Sequence, residues 1–462
     1  MSHQLSVGFS RMNITPMRGI GISGYFIPRY AEGVLDDLHV RATAVSVDED
    51  TVLMIALDLL LVQTPIMNNY RQQISEATGV PVSAIYVHCQ HTHTGPYVDP
   101  AYESKASGTT APLTTQKILD YQKFLGQRLV DAAVTAMEDR KPARMGYGVG
   151  KASNIAFIRR FRMKDGSVRT NPGVNNPDIV APIGELDERV SVVRFDREGG
   201  SSVVMVNYAD HPDVVGGNLI SADWPGFLCH TVEKALDNVD CIFFNGAQGD
   251  VNHVNVHPAP GFLNDMFMDF DDVSRGYGHA RYMGRVVAGA VLQVFDKVAY
   301  VDEVDKIRFL EKTVEIPSNM PTPEELIEAK RINELHVAGR DAEIPFEGMM
   351  LTTVVAEAGR MIRLADGPVS FPVSFSAVAI GKVAFFGIPG EPFNGIGRAI
   401  KDTEGFDLII PCCLVNGSEG YFPMKDAYDE GGYEARSSIF KAGVAELIIA
   451  QGKEMLTELA KQ

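Results

Sequence analysis

Apolar and polar positions alternate in short runs over the first half of the chain. Residues 38–47 (LHVRATAVSV) have the period of a half-buried strand, and 52–62 (VLMIALDLLLV) read as a strand covered on both faces. A helical stretch is expected at 63–78, followed by a strand over 85–91 (IYVHCQH). Residues 115–139 carry an apolar stripe at helical spacing, marked by Leu119, Tyr121, Leu125, Leu129 and Ala132. The stretch 189–209 reads as two strands joined by a turn over 197–202, and CIFF at 241–244 as a strand ending in the loop NGAQGD. Helices are expected at 278–297, at 322–340 behind a Thr-Pro cap, and at 437–460. A hairpin is expected over 370–388, turning at Gly381-Lys382. Strands and helices are intermixed, which predicts an α/β layered domain with a mixed β-sheet and surrounding helices. No repeat, low-complexity segment or clear linker divides the 462 residues, so one catalytic-type domain over 1–462 is expected. The loops at 98–113 and 165–185 read as insertions able to border a site.

Composition narrows the function classes. A formal net charge of -17 disfavours nucleic acid and anionic lipid as partners. The five cysteines lack CxxC spacing, which suits free thiols in a reducing compartment. The N-terminal residues lack the pattern of a signal peptide, and no run of about 18 apolar residues occurs. A cytoplasmic protein without membrane insertion is the expectation. Oligomeric state is not legible.

Candidate chemistry sits at the ends of the apolar runs. His91-Thr92-His93-Thr94-Gly95-Pro96 follows the strand 85–91. Two histidines at i and i+2 on extended backbone point to one side. Both can reach one metal, or one can bind metal while the other moves a proton. His211 lies in Tyr208-Ala209-Asp210-His211-Pro212 at the end of another apolar strand, where a lone histidine is often structural. Glu391, in Gly390-Glu391-Pro392, ends the run VAFFGI. A buried carboxylate there needs a partner or a metal, unless it caps the helix that follows. Tyr421 and Tyr433 stand twelve residues apart and admit either packing or a site role. No GxSxG elbow and no GxxxxGK[ST] loop occurs.

Together these motifs, in order from residue 6 onward, resemble the catalytic domain of the neutral/alkaline (non-lysosomal) ceramidases. Val7-Gly8, Asn13-Ile14-Thr15-Pro16 and Gly24-Tyr25 resemble the family's opening, and Asp37 to Ala42 its first strand. HTHTGP at 91–96 is similar to its THTHSGP, departing at Gln90 and Thr94, and PGEP at 389–392 matches directly. Leu186-Asp187 and Val193-Arg194-Phe195 echo a further strand, while Ala435 stands where the family has glycine. The resemblance implies zinc (Zn2+) held by His91, His211, Glu391 and Tyr421. It implies active-site roles for His93, Tyr433 and Arg159, with Arg160 as the alternative arginine. The chain ends some thirty residues after Tyr433, so the family's immunoglobulin-like C-terminal domain is expected to be missing. The segment 159–182 is polar and unlike a lipid-binding wall. The resulting expectation is a zinc-dependent hydrolase of a small-molecule N-acyl amide, smaller and more polar than ceramide. A zinc-dependent ester or lactone hydrolase, or a non-catalytic metal-binding relative, is the alternative.

Overall fold

The computed structural model describes residues 4–102 and 114–462. Most of the expected loop at 98–113 therefore lies outside the described residues. The first sheet contains β1 (Leu5–Asn13), β2 (His39–Val47), β3 (Asp50–Leu57), β4 (Ile85–Cys89), β5 (Lys141–Lys151), β6 (Arg189–Arg197), β7 (Ser202–Tyr208) and β8 (Val239–Asn245). Their order is β8-β7-β6-β5-β1-β2-β3-β4. The pairs β3–β4 and β7–β8 are parallel, and the others are antiparallel. A second sheet runs β9 (Ile307–Pro317), β10 (Ser370–Ile380), β11 (Val383–Gly387) and β12 (Leu408–Cys412), with β11–β12 parallel. The mixed-sheet α/β expectation is met.

Period-2 alternation assigns neighbouring residues to different cores. On β7, Val203 and Met205 join one cluster while Val204 and Val206 join another; on β8, Ile242 and Phe244 oppose Cys241 and Phe243. The first cluster also takes Val378, Ile380, Val383 and Phe385 from the second sheet, so it lies between the sheets. It is closed by α1 (Thr64–Thr78) and α2 (Thr115–Glu138). The other face of the first sheet packs on α3 (Asp223–Ala235) and α4 (Tyr277–Phe295) through Trp224, Leu228, Met283 and Val287. The helices α5 (Pro323–Val337) and α6 (Gly348–Leu364) pack on each other as a satellite. The outer face of the second sheet carries Phe375 and Phe386 against α7 (Asn394–Lys401) and α8 (Val444–Lys461). Burying each such side chain contributes about 1.5–3 kcal/mol.

The expected elements recur with local differences. Strand β3 stops at Leu57 rather than at residue 62, because Asp58 turns its carboxylate to Arg41 at 3.0 Å and to the His39 backbone N–H at 2.8 Å. Leu119 is exposed and Ile118 takes its place in the stripe of α2. The capping box of α5 forms, Thr322 and Glu325 bonding each other's backbone N–H. The last long helix begins at Val444, with a short turn at Tyr433–Ser437 before it.

The carboxyl ends of the three parallel pairs meet at a seam of buried polar groups. His88 donates from Nδ1 to the Cys413 carbonyl (2.7 Å), and its Nε2 accepts the Asn245 backbone N–H (2.9 Å). The Asn245 amide donates to the Gln90 and Asp210 carbonyls, and Val87 N–H bonds the Asn416 side chain. Rings of Tyr86, Phe244 and Phe385 meet beside it, with centroids 5.9–6.4 Å apart. Burial pushes the His88 pKa down to about 3. A histidine neutral when folded but titrating near 6.5 when unfolded binds its proton first in the unfolded chain, so its share of stability falls as pH drops below about 6.5. The wild type should therefore lose about 1.4 kcal/mol per pH unit between pH 6.5 and 5 that a His88→Gln variant does not lose. His88→Leu, which orphans a buried donor and a buried acceptor, should cost about 2–4 kcal/mol. Urea midpoints across that range check both.

Candidate metal centre and cavity

Each candidate ligand follows a strand that ends at the seam. His91 and His93 follow β4, His211 follows β7, and Glu391 follows β11. Residues 390–392 lie beside 420–422, with Glu391 paired in register to Tyr421 and its N–H bonded to the Gly420 carbonyl at 2.8 Å. A side chain at 390 would meet that carbonyl at 2.4 Å, so the approach requires glycine.

His91 Nε2 lies 3.2 Å from His211 Nε2 and 3.1 Å from Glu391 Oε2, and His211 Nε2 lies 3.5 Å from the same oxygen. His91 Nδ1 bonds the Leu60 carbonyl (2.9 Å), and His211 Nδ1 the Gln248 carbonyl (3.3 Å). Carbonyls only accept, so both Nδ1 atoms carry a hydrogen and both Nε2 atoms are turned toward Glu391 and toward each other. His93 completes a group of three histidines whose ligand atoms lie within 4.8 Å of one another. This donor set can hold one metal ion. Burial lowers the pKa of His211 well below the usual histidine value. Burial acts to raise that of Glu391, but His91 and Arg159 beside it bring it below the usual carboxylate value.

The expectation of extended backbone through the histidine pair needs correction. Strand β4 ends at Cys89, and His91 has φ +83°. That left-handed conformation is strained for histidine. The two rings still converge, with centroids 5.0 Å apart.

Among the described residues His93 finds no hydrogen-bond partner for either ring nitrogen, although both are buried. Its Nδ1 faces Asp213 Oδ1 at 3.6 Å. Asp213 accepts from the Tyr25 hydroxyl (2.6 Å) and from Arg275 Nη2 (2.8 Å). Burial pushes His93 down to about 3, against the opposing pull of Asp213. Arg159 reaches the cluster and Arg160 does not. Arg159 donates to Tyr421 Oη (3.1 Å), Glu434 Oε1 (2.6 Å) and the Gly249 carbonyl (2.7 Å). Arg160 is bonded to Glu430 and the Gly431 carbonyl instead. Tyr421 touches the cluster through Glu391 and Arg159. Burial raises its pKa well above the usual phenol value. Tyr433 sits edge-on to Tyr421, centroids 5.5 Å apart, behind the positive-φ pair Gly431 and Gly432.

A cavity of about 390 Å³ opens over these groups. Its walls come from residues 24–26, 60, 61, 63, 102, 363, 418–421, 433, 437 and 439, with His91, His93 and Glu391 at its base. The polar segment 159–182 is not part of this wall. Its Thr170 bonds Glu434 at 2.9 Å, and residues 165–173 border a separate cavity of about 830 Å³.

Asp213, Gln248 and Glu434 were not read from the sequence. Asp213 carried a signal, standing at i+2 from His211. Gln248 lay in the glycine-containing loop, and Glu434 followed Tyr433 directly. Nothing local pairs Glu434 with Arg159, 275 residues away.

The arrangement defines an α/β protein with a histidine–carboxylate centre at the carboxyl ends of parallel strand pairs. Among solved structures the chain is similar to neutral ceramidase from Pseudomonas aeruginosa, with TM-score 0.73 and 16% identity over 100% of this chain and 75% of that one. It is also similar to a ceramidase complexed with C2, with TM-score 0.71 and 16% identity over 99% and 76%. No family model and no curated protein matches its sequence. At that identity the likeness establishes a shared fold. No helix among the described residues is long and apolar enough to cross a membrane.

The Arg159–Glu434 pair is buried, with side-chain exposures of 7% and 0%. Breaking a buried pair strands a charge. Glu434→Ala should cost about 3–5 kcal/mol. Glu328→Ala, at the exposed pair with Arg331, should cost below about 1 kcal/mol. Denaturant unfolding of the two variants compares them.

Proposed function

We propose that this chain is a zinc-dependent hydrolase that cleaves an N-acyl amide bond with water. The observation that carries the reading is the convergence of three ligand-type atoms, His91 Nε2, His211 Nε2 and Glu391 Oε2, at 3.1–3.5 Å from one another. A tetrahedral zinc site with bonds of about 2.0–2.1 Å has ligand–ligand edges of about 3.3 Å. Tyr421, bonded to Glu391, is the fourth candidate ligand. The shared fold with ceramidases favours an amide as the bond cleaved.

A zinc ion at this position supplies an activated water and positive charge at the carbonyl. The protein's own groups do the rest. His93, backed by Asp213, has a free ring nitrogen for the water proton and returns a proton to the amine as the C–O bond forms and the C–N bond breaks. Tyr433 donates its hydroxyl to the carbonyl oxygen as charge develops there. Arg159, held by Glu434, fixes Tyr421 and Glu391 as a positioning residue. The substrate is a small-molecule amide, and nucleic acid has no counterpart in the acidic composition.

Metal analysis of the purified chain should find close to one zinc per chain, removable by chelator. Tyr433→Phe should keep that zinc while turnover falls by about 10²–10³. Tyr421→Phe should instead weaken zinc retention. A Tyr433→Phe variant with wild-type turnover, or one that loses its zinc, sinks the role assigned. Long-chain ceramide should be turned over more slowly than short N-acyl amides, because Gln63, Arg363, Ser418 and Glu419 interrupt the apolar lining that Phe26, Leu60, Leu61 and Ile439 supply. Parallel assays of the two classes decide.

A further inference from the structure

The cavity contains one cation whose charge nothing described answers. Arg159 is held by Glu434, Arg160 by Glu430, and Arg275 by Asp213 and Asp271. Arg363, exposed at the C-terminal end of α6, lines the open side of the same cavity as His91, Glu391 and Tyr433. Among the described residues no group accepts a hydrogen bond from its guanidinium and no carboxylate pairs with it. The groups that face it electrostatically are the phenols Tyr102 and Tyr433.

Its placement is built into the helix. Side chains in a helix lean toward its N-terminus, over the residue four positions back. That residue is Gly359, where a Cβ would stand 3.2 Å from Arg363 Nη1. Glycine inside a helix is unfavourable relative to alanine. Here it leaves space for the guanidinium to lie back along α6.

A second orphan lines the same cavity. Gln63 precedes the first turn of α1 but its side chain makes no capping bond. Its Oε1 is a buried acceptor without a donor among the described residues. A ligand satisfying both residues presents an anion to Arg363 and an N–H to Gln63.

We propose that the preferred substrate is an N-acyl amide bearing a carboxylate, which Arg363 binds through its two-pronged guanidinium. The inference rests on the amide-hydrolase reading of this cavity. A planar guanidinium matches a carboxylate in two parallel hydrogen bonds. One cation in a cavity that also carries Glu391 and Glu419 balances a monoanion better than the dianion of a phosphate monoester. The carboxylate belongs to the amine half, as in an N-acyl amino acid, or to the acyl half, as in a succinyl amide.

Two probe pairs separate these cases. N-acetylphenylalanine and N-phenethylacetamide differ by a carboxylate on the amine half. N-succinyl- and N-butyryl-phenethylamine differ by one on the acyl half. Turnover is measured for all four. Binding is measured by calorimetry with methanesulfonamide analogues of the first pair and sulfonamide analogues of the second, which are not hydrolysed. In the zinc-loaded wild type, one carboxylate member should exceed its neutral partner by about tenfold or more in kcat/KM and in affinity. Arg363→Met should bring that ratio close to one, Arg363→Lys should keep part of it, and Arg331→Met on the exposed face of α5 should leave it intact. An Arg363-dependent affinity ratio with no turnover of any amide upholds the anion site and refutes the hydrolase reading. Turnover with no carboxylate preference, or with a preference that survives Arg363→Met, overturns the proposal and leaves the hydrolase reading standing. Absence of both binding and turnover overturns it as well.

Discussion

Two hydrogen bonds of His88 hold together what the rest of the site needs. One ties β4 to the chain leaving β12, through the Cys413 carbonyl, and the other ties β4 to the end of β8, through the Asn245 N–H. His91, His211 and Glu391 each lie within four residues of a strand that ends at this junction. Short arms from a fixed seam leave little freedom in where the ligand atoms point. Because both bonds require the neutral ring, the low dielectric around His88 is part of the fastening. Burial keeps it unprotonated, and the two partners make the burial tolerable.

Charge is arranged in graded steps away from the centre. Glu391 contributes a negative charge beside His93 and His211, which burial keeps neutral. Arg159 stands behind Tyr421 and Glu391, and Glu434 neutralises Arg159 from the far side. On the opposite flank Asp213 backs His93, and Arg275 backs Asp213. Both flanks alternate in sign outward, so no charge among them lacks an opposite neighbour. The cluster of ligand-type atoms at the middle is the place left open for a cation.

Much of this was legible in the sequence, and the limits have physical causes. Strand and helix positions followed from period, since the 2-residue and 3.6-residue repeats are imposed by which face is buried. His91, His211 and Glu391 stood at strand ends in motifs with a family likeness, so their types and positions were both informative. What escaped depended on distant pairings. Glu434 is an ordinary glutamate until Arg159 is placed against it, and Arg363 is an ordinary helix-end arginine until α6 is packed beside the cavity. The stretch 159–182 was read as polar and unlike a lipid-binding wall. Its Thr170 hydroxyl instead donates to Glu434, and its Asn171 N–H bonds the Arg159 carbonyl. The left-handed His91 had no sequence signal either, since histidine gives no hint of positive φ as glycine or asparagine does.

That strained histidine links stability to function. A φ of +83° at His91, two ring nitrogens of His93 without partners among the described residues, and the buried side-chain carboxyl of Asp210, whose pKa burial raises, each disfavour the folded state. They collect within the span 91–211, at the strand ends, rather than scattering through the three large cores. Such features persist only where surrounding structure over-determines them, and here the surroundings are the seam and the sheets beneath it. Collapse of the cluster to relieve itself would require breaking the bonds of His88, Asn245 or Gln248. The cores therefore hold apart, or rather together, groups that would separate in water. A cation bound among them gains from pre-organisation that the hydrophobic layers already supply.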